Sequence, residues 1–290
     1  MNDEKNERVA FQGEPGAFSE EAALALLGEE IRLVPCATFA TAFRAVSAGD
    51  ADYVLAPVEN SLVGAVQWSL DLLAESELGI CAEMILPIVH NLIGVPGARI
   101  EQIRSVQSHP VALAQCERFF HANPGIKRVA AEDTAGSVRE ILGAGDPGRA
   151  AIAGRRAAEI YGGEILRERL EDNPANFTRF LLLAAEARAS RSGTKLSLGF
   201  QLPHLPGALY TALEPFARRK INLLRIESRP MQGRPWEYRF YVDLQASMSD
   251  AGVMEALAEF GQHAVQLKIL GCYDSVEMTG TKTKTGAARA

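Results

Sequence analysis

Short apolar runs alternate with amphipathic helical patterns over the first part of the chain, and this alternation constrains the fold most strongly. The runs include VAF at residues 9–11, YVLAP from Tyr53 and MILPIVHNLIGV from Met84. Helical patterns such as SEEAALALL from Ser19 and TAGSVREILGAG from Thr134 lie between them. Strands that alternate with helices in this way form a sheet with crossover helices. We therefore predict an α/β fold for residues 8–185.

The apolar periodicity is lost near residues 184–194, where AAEARASRSGT gathers small and charged side chains. This composition is typical of a linker, so we place a domain boundary there. Residues 195–275 then have the pattern strand, helix, strand, strand, helix, strand, with MQGRP as the hairpin turn before a strand at 236–244. A βαββαβ unit of this size is ferredoxin-like. Residues 276–290 are small, polar and turn-rich, and we expect them to be disordered.

Charge and composition exclude several kinds of partner. Lys and Arg number 30 against 36 Asp and Glu, which gives a formal net charge of -6. No positive field gathers phosphates, so we expect no nucleic acid partner. The first residues, MNDEKNER, are charged, and no stretch approaches the roughly 18 apolar residues of a membrane span. The four cysteines form no CxxC motif, which favours free thiols in a cytoplasmic protein.

Several well-defined chemical motifs are absent from the sequence. GxxxxGK[ST], HExxH and GxSxG do not occur, and the five histidines show no ligand-like spacing. Nucleotide, metal and catalytic-triad chemistry therefore have no support, and we predict no metal site.

Three polar segments follow predicted strands, at the sheet edge where open α/β sheets bind ligands. They are APVENSLVG, SHPVALAQC and EDTAGS. Free helix N-termini at this edge favour an acidic small substrate. Each segment also has a simpler interpretation as a turn or a helix cap, the caps being Ser108 and either Asp133 or Thr134. The candidate residues are Glu59, Asn60, Ser108, Gln115 about two turns into its helix, Thr134 and Ala135.

Two further segments carry polar groups beside predicted strands. GEPGAFS at residues 13–19 is equally consistent with an anion site at a helix N-terminus and with an ordinary turn capped by Ser19. DNPANFTRFLLL places Asn176, Thr178 and Arg179 just before a strongly apolar run. A hydroxyl, a guanidinium and an aromatic ring suit a carboxylate substrate that carries a ring, whereas an edge strand is the plainer alternative.

The motifs PVENS, SHP, NFTRF, GAL and ESRP occur in the order found in prephenate dehydratases with a C-terminal ACT regulatory domain, which this chain resembles from about Arg8 to Ser275. The resemblance implies a catalytic domain at residues 8–185 with two α/β lobes, like a periplasmic binding protein, and an ACT domain at 195–275. It implies decarboxylating dehydration of prephenate to phenylpyruvate, a step of L-phenylalanine biosynthesis, without a metal or other cofactor.

The same resemblance assigns residues in the catalytic domain. Thr178 would be the essential hydroxyl and Asn60 its polar partner, with Ser108 and Gln115 as further catalytic residues of the pocket. Arg179 and Phe180 would flank the substrate, together with the candidates Glu59, Thr134 and Ala135 named above. The family commonly has SHPQ where this chain has Val111 after Pro110, so the resemblance assigns no role to that position.

In the ACT domain the resemblance implies L-phenylalanine as effector. ACT domains usually pair between subunits, so a homodimer or homotetramer is expected. Two alternatives stay open: an arogenate dehydratase, which performs the same elimination on the amino analogue, and a binding protein or sensor without catalysis. The implied effector residues are Gly207, Ala208, Leu209, Asn222, Glu227, Ser228, Arg229 and Pro230.

Overall fold

The computed structural model describes residues 6–231, 233–279 and 282–284, and its described residues fall into two compact units. The first unit contains the described parts of Met1–Leu72, Met84–Phe180 and Glu277–Lys284. The second contains Leu73–Glu83 and the described part of Leu181–Val276. Each unit is therefore assembled from segments that are separated in the sequence.

Strands and helices alternate along the chain as the apolar pattern predicts, with short 3₁₀ turns at Ile100–Gln102 and Glu186–Arg188. The elements before residue 189 are β1 (Arg8–Gln12), α1 (Phe18–Leu27), β2 (Arg32–Cys36), α2 (Phe39–Ser47), β3 (Tyr53–Asn60), β4 (Gly64–Ala65), α3 (Gln67–Glu75), β5 (Leu78–Pro87), β6 (Asn91–Gly94), β7 (Ser105–Ser108), α4 (Pro110–Ala114), α5 (Glu117–Ala122), β8 (Lys127–Ala130), α6 (Thr134–Ala144), β9 (Arg149–Ala153), α7 (Arg155–Tyr161), β10 (Glu164–Arg167) and β11 (Phe177–Ala185). The later elements are β12 (Lys195–Gln201), α8 (Ala208–Arg218), β13 (Asn222–Pro230), β14 (Tyr238–Gln245), α9 (Ala251–His263), β15 (Gln266–Tyr273), β16 (Ser275–Thr279) and β17 (Lys282–Lys284).

The first unit has two α/β lobes, each built on its own sheet. One sheet includes β5, β11, β3, β1 and β2 in that order, and the other has the order β10, β6, β9, β7, β8. The chain leaves the first sheet after β5, forms the second, and returns as β11 beside β3. Val9, Ala10 and Phe11 of β1 are fully buried, as expected for a parallel strand covered on both faces. The predicted two-lobed architecture, like that of a periplasmic binding protein, is confirmed.

The segment GEPGAFS packs the first lobe against the second. Gly16 has φ of 87°, and a Cβ at this position would lie 2.7 Å from Cα of Ala157 in α7. Only glycine fits such a close approach in the left-handed region. An ion pair between Arg156 and Glu20, 2.5 Å apart, lies in the same contact. This part of the motif therefore joins the two lobes.

Two backbone donors of this turn are already in use. The N–H of Gly16 donates to the Glu20 carboxylate, and the N–H of Ala17 donates to the Glu14 carbonyl. Helix α1 begins at Phe18 with Ala17 as its N-cap residue, so the prediction of a Ser19 cap is wrong. The acceptor for this turn is the Glu20 carboxylate, one residue after Ser19. The sequence alone does not show this contact. These contacts favour the structural interpretation of GEPGAFS over an anion site.

The second unit contains the predicted βαββαβ unit. Its sheet has the order β13, β14, β12, β15 with antiparallel pairs, and α8 packs beside α9. Phe200, Phe216 and Phe260 meet in its core, with ring centroids of Phe200 and Phe260 4.8 Å apart. The ferredoxin-like topology is confirmed. Strand β14 begins at Tyr238 rather than at residue 236, because Trp236 has φ of 69° and belongs to the turn.

Two strands lie within the segment expected to be disordered. β16 and β17 pair antiparallel, from Glu277 opposite Lys284 to Thr279 opposite Lys282. The expectation of disorder is therefore wrong for 276–279 and 282–284, where β-branched residues suit a strand and backbone pairing offsets the ordering entropy. Residues 280, 281 and 285–290 lie outside the described residues.

Candidate active site

Asn60 and Thr178 meet at the ends of neighbouring strands. Asn60 is the last residue of β3, and Thr178 follows the first residue of β11. The Asn60 amide nitrogen donates to Thr178 Oγ1 over 3.0 Å, while Asn60 Oδ1 accepts from the backbone N–H of Leu62 and Val63. These two backbone donors fix which side of the amide is oxygen. The Thr178 oxygen therefore acts as an acceptor here, and its own hydrogen is available to point away from Asn60.

Asn176 extends this contact toward the second lobe. Its side chain is fully buried, its Oδ1 accepts from the Asn60 amide at 2.8 Å, and its amide nitrogen donates to Gln115 Oε1 at 3.0 Å. His90 Nε2 lies 2.8 Å from the same Gln115 oxygen. Three side-chain amides and an imidazole thus form one continuous hydrogen-bonded cluster that ends at Thr178. We call Asn60, Gln115, Asn176, Thr178 and His90 the amide cluster.

Gln115 reaches the amide cluster because its helix is short. α4 ends at Ala114, and the Gln115 N–H still donates to the Val111 carbonyl, so Gln115 is the residue that closes the helix. The prediction that it lies two turns into the helix is wrong, since α4 has already ended and a new helix begins at Glu117. At this C-cap position the Gln115 side chain contacts Asn176.

Ser108 lies apart from the amide cluster in its hydrogen bonding. It is fully buried, and its hydroxyl donates to the Ile152 carbonyl at 2.6 Å, which ties β7 to β9. The interpretation of Ser108 as a helix cap is wrong, because His109 Nδ1 accepts from the Val111 N–H and caps α4. Burial lowers the pKa of His109. Both polar side chains of the SHP motif, Ser108 and His109, therefore make hydrogen bonds to the backbone that support the fold.

Arg179 and Phe180 have different surroundings. Along a strand successive side chains point to opposite faces, so Arg179 lies on the face opposite Thr178. Its guanidinium is 3.6 Å from the Glu59 carboxylate, and the Arg179 side chain is mostly buried. Phe180 is 2% exposed and belongs to the interior. Thr178 and Arg179 therefore do not present their groups from the same face of β11.

Thr134 and Ala135 begin α6 at the edge where β7 and β8 end. β7 and β8 are parallel neighbours, so the ends of the two strands lie side by side, as predicted. Asp133 caps the helix by accepting from the Gly136 N–H at 2.5 Å, which confirms one of the two predicted caps. Ala135 is fully buried. The Asp133 carboxylate therefore already accepts from a backbone N–H at this helix N-terminus.

Sequence inspection missed His90, and it named Asn176 among the polar groups beside β11 without assigning it a role. His90 is 2% exposed and packs edge-on against the ring of Phe18, with ring centroids 5.8 Å apart. Burial lowers its pKa, and Glu171 opposes that effect. The available signal was a single imidazole inside the apolar run MILPIVHNLIGV, where a polar side chain needs a partner.

In the second unit the effector candidates form two groups. Gly207 caps α8 with φ of 82°, and Ala208 and Leu209 line a cavity of about 390 Å³. Glu227, Ser228, Arg229 and Pro230 lie on β13, the strand at the edge of the sheet, and so does Asn222. None of the β13 residues lines the cavity. Other described residues of its wall include Leu205, Met231, Arg234, Tyr238 and Phe240.

The described residues contain no group of three or more His, Cys, Asp or Glu side chains placed to hold a metal ion. Over the same residues, no helix combines the length and the apolar character that a membrane crossing requires. All four cysteines are free thiols, as predicted, and Cys81 is the one that is only half-buried.

Comparisons with known proteins agree with this geometry. The prephenate dehydratase family model matches residues 9–188, and the ACT domain model matches residues 197–262. A chloroplastic arogenate dehydratase/prephenate dehydratase of Arabidopsis thaliana is 42% identical over 287 residues, covering 93% of this chain and 73% of that protein. A bifunctional chorismate mutase/prephenate dehydratase of Neisseria gonorrhoeae is 37% identical, covering 91% of this chain and 74% of that protein.

Two solved structures extend the agreement to the fold. The prephenate dehydratase of Arthrobacter aurescens in complex with L-Phe superposes with a TM-score of 0.85 and 34% identity, over 92% of this chain and 90% of that one. A protein described as a quorum quenching acylase superposes with a TM-score of 0.84 and 34% identity, over 92% of this chain and 98% of that one. The chain therefore belongs to the prephenate dehydratase family and carries an ACT domain in its C-terminal part.

Proposed function

We propose that the chain converts prephenate to phenylpyruvate. The observation that carries this assignment is the Thr178 hydroxyl, whose oxygen accepts from an amide that the backbone has fixed in orientation. In the reaction the bond to the ring carboxylate breaks and releases CO₂. Its electron pair completes the aromatic ring and expels the ring hydroxyl, which takes up a proton and leaves as water. The Thr178 hydrogen supplies the hydrogen bond that the departing oxygen needs.

Orientation and electrostatic stabilisation dominate this mechanism. A threonine hydroxyl is too weak an acid to give up its proton unaided, so Thr178 stabilises the developing charge, and the proton that completes the water comes ultimately from solvent. Asn60 donates to the oxygen of Thr178 and thereby directs the Thr178 hydrogen away from itself. The ring carboxylate has to remain poorly stabilised for CO₂ to leave, which favours firm binding at the pyruvyl end of the substrate.

The pyruvyl carboxylate and carbonyl require hydrogen-bond donors. The Gln115 amide nitrogen is one donor of the amide cluster that has no acceptor among the described residues. We assign it, with Asn176 as its support, to the substrate side of the site. Arg179 and Glu59 form an ion pair on the face of β11 opposite Thr178, so we propose that they support the strand. Ser108, Ala135 and Phe180 are buried, and we assign them supporting roles as well.

The ACT domain is the proposed site of regulation by L-phenylalanine. The cavity beside Ala208 and Leu209 combines apolar walls with Arg234 and Glu237, which suits an amino acid with an aromatic side chain. The similar protein of Arthrobacter aurescens was solved with L-Phe bound. Because the effector candidates of β13 do not line this cavity, we propose that they complete the site from a second subunit of a homodimer or homotetramer.

Two other activities are distinguished by assay. Arogenate is supported as an alternative substrate by the Arabidopsis relative, whose name covers both dehydratase activities. An acylase reaction would require an activated nucleophile, but the imidazole of the amide cluster pairs with Gln115 rather than with Thr178. A sensor without catalysis would leave every substrate intact.

The test measures phenylpyruvate by its absorbance in alkali, with prephenate as substrate, with and without L-phenylalanine. Arogenate and a simple N-acyl amide serve as parallel substrates. We expect turnover of prephenate and a change in rate with L-phenylalanine. Turnover of arogenate alone would replace the proposed substrate, and a folded protein inactive on prephenate and arogenate would overturn the proposal.

A further inference from the structure

Two polar atoms in the amide cluster are buried and have no hydrogen-bond partner among the described residues. They are His90 Nδ1 and the amide nitrogen of Gln115. The other ends of the same two side chains face each other, with His90 Nε2 2.8 Å from Gln115 Oε1. Unpartnered buried polar atoms are rare and mark places where strain, chemistry or a ligand explains them.

The hydrogen bonds around Gln115 determine the orientation of its amide and the tautomer of His90. Its Oε1 accepts from the Asn176 amide, so the oxygen and not the nitrogen faces Asn176. An amide oxygen has no proton to give, and therefore His90 Nε2 must be the donor to it. His90 is then the Nε2–H tautomer, and its Nδ1 is a bare lone pair.

The backbone holds both side chains at this separation. The Leu170 N–H donates to the His90 carbonyl, the His90 N–H donates to the Glu171 carboxylate, and the Asp172 N–H donates to the Gln115 carbonyl. One short segment therefore fixes the main chain at both residues.

The ring of Phe18 packs edge-on against His90 and limits rotation of the imidazole. Such support from surrounding packing and hydrogen bonds keeps a site in one geometry.

We propose that His90 is a positioning residue, which donates from Nε2 to Gln115 Oε1 and thereby presents the Gln115 NH₂ group as a donor to a carboxylate or carbonyl oxygen of the substrate. The proposal rests on the proposed function, because prephenate offers such oxygens. With the amide reversed, the Gln115 oxygen would face the anionic substrate and repel it. His90 acts on the substrate only through Gln115.

Burial keeps the imidazole in the state that this role requires. It lowers the pKa of His90, and Glu171 is the charged group that opposes the effect. Protonation would add a hydrogen at Nδ1, where no acceptor lies among the described residues. The neutral ring therefore donates in one direction only.

The first test is nitrogen-15 NMR of the wild-type protein labelled in histidine. The His90 signal is assigned by its loss in His90→Gln. We expect a protonated Nε2 and an unprotonated Nδ1 at neutral pH, and an Nδ1–H tautomer or an imidazolium would overturn the proposal. This measurement reports on the folded protein and does not depend on activity.

The second test is steady-state kinetics with prephenate. His90→Phe removes the donor but keeps a ring, and we expect KM to rise about 10- to 100-fold with kcat nearly unchanged, the size of one hydrogen bond to a charged group. His90→Gln restores a donor and should recover most of the KM. His121→Gln, at an exposed histidine of α5, is the matched control.

The outcomes separate this inference from the proposed function. Unchanged KM in His90→Phe, or equal KM in His90→Phe and His90→Gln, would overturn the positioning role in an enzyme that still dehydrates prephenate. A wild-type protein inactive on prephenate would overturn the proposed function, while the tautomer measurement would still report on the contact between His90 and Gln115.

Discussion

The amide cluster and the effector candidates are organised in opposite ways. In the first unit, residues far apart in sequence are brought into direct hydrogen bonding, as between Asn60 and Thr178 or Asn176 and Gln115. In the second unit, Leu209 lines the cavity whereas Ser228 lies on an edge strand and does not. In our proposal a single chain therefore supplies all the named residues of the catalytic centre but only part of each effector site.

Because of this difference, we expect subunit assembly to affect effector binding but not turnover. A catalytic centre that is complete in one chain needs no partner residue, so we expect each subunit to turn over substrate with its own side chains. A site divided between chains forms only when subunits pair, which links effector binding to assembly. Variants that separate turnover from effector response test this contrast directly.

The largest expected effect comes from Thr178→Ala. Loss of one positioned hydrogen-bond donor should lower kcat by about 10² to 10⁴. Binding of L-phenylalanine, measured by calorimetry, should stay unchanged because the ACT domain is untouched. Unchanged turnover in this variant would remove Thr178 from the mechanism.

Asn60→Asp reverses the polarity of the contact with Thr178. The carboxylate still accepts from the N–H groups of Leu62 and Val63, but it has no N–H to give to Thr178, whose hydrogen then turns toward it. We expect kcat to fall about 10- to 100-fold, the cost of one or two misdirected hydrogen bonds. The rate of Asn60→Ala serves as the reference, and a wild-type rate in Asn60→Asp would contradict the proposed orientation.

Leu209→Ala and Pro230→Ala should each raise the concentration of L-phenylalanine for half-maximal effect about tenfold, as one lost apolar contact predicts, without changing kcat. In a homodimer of either variant every divided site carries a defect. Mixed dimers of the two variants contain one site with both defects and one with none, so titration of purified mixed dimers should show a high-affinity phase.

The matched control uses the catalytic centre. Mixed dimers of Thr178→Ala and Gln115→Ala should show no recovery of turnover, because each chain carries a defect in its own centre. Recovery there, or its absence in the effector titration, would overturn the contrast between the two regions.

The smallest expected effect is a pH dependence of stability. Because burial lowers the pKa of His90, the unfolded chain binds this proton at higher pH than the folded chain does. The contribution to stability is complete above the ordinary imidazole pKa of about 6.5 and is lost as the pH falls toward the lowered folded value. Urea unfolding from pH 7.5 to 5 should show a shallower decline in His90→Gln than in the wild type, and equal declines would contradict this assignment.

The fold was largely predictable from the sequence. The apolar runs predicted the alternation of strands and helices and the βαββαβ unit, because burial on one or two faces leaves a clear periodicity. The division into two lobes was implied by the family resemblance alone. Register and boundaries were less accessible. Trp236 looks like a strand residue, yet its positive φ places it in the turn, and β16 and β17 are stabilised by pairing that a local composition does not show.

The site was predictable in part, and the errors have physical causes. Asn60 and Thr178 carry polar groups at strand ends, which is the signal that selected them. Gln115 was selected from the motif that follows Ser108, and its place at the helix end was not predicted. His90 escaped because a lone histidine in an apolar run has no visible partner until β6 to β10 have folded. Ser108 was selected for its position, but its hydroxyl is used within the sheet.

The most direct test of the account compares wild type, Thr178→Ser and Thr178→Val at saturating prephenate. Valine preserves the shape of threonine and removes only the hydroxyl, whereas serine keeps the hydroxyl. Phenylpyruvate formation should remain within about tenfold of wild type for Thr178→Ser and fall at least about 100-fold for Thr178→Val. A Thr178→Val enzyme that matches the wild-type rate would contradict the claim that this hydroxyl assists departure of the ring oxygen.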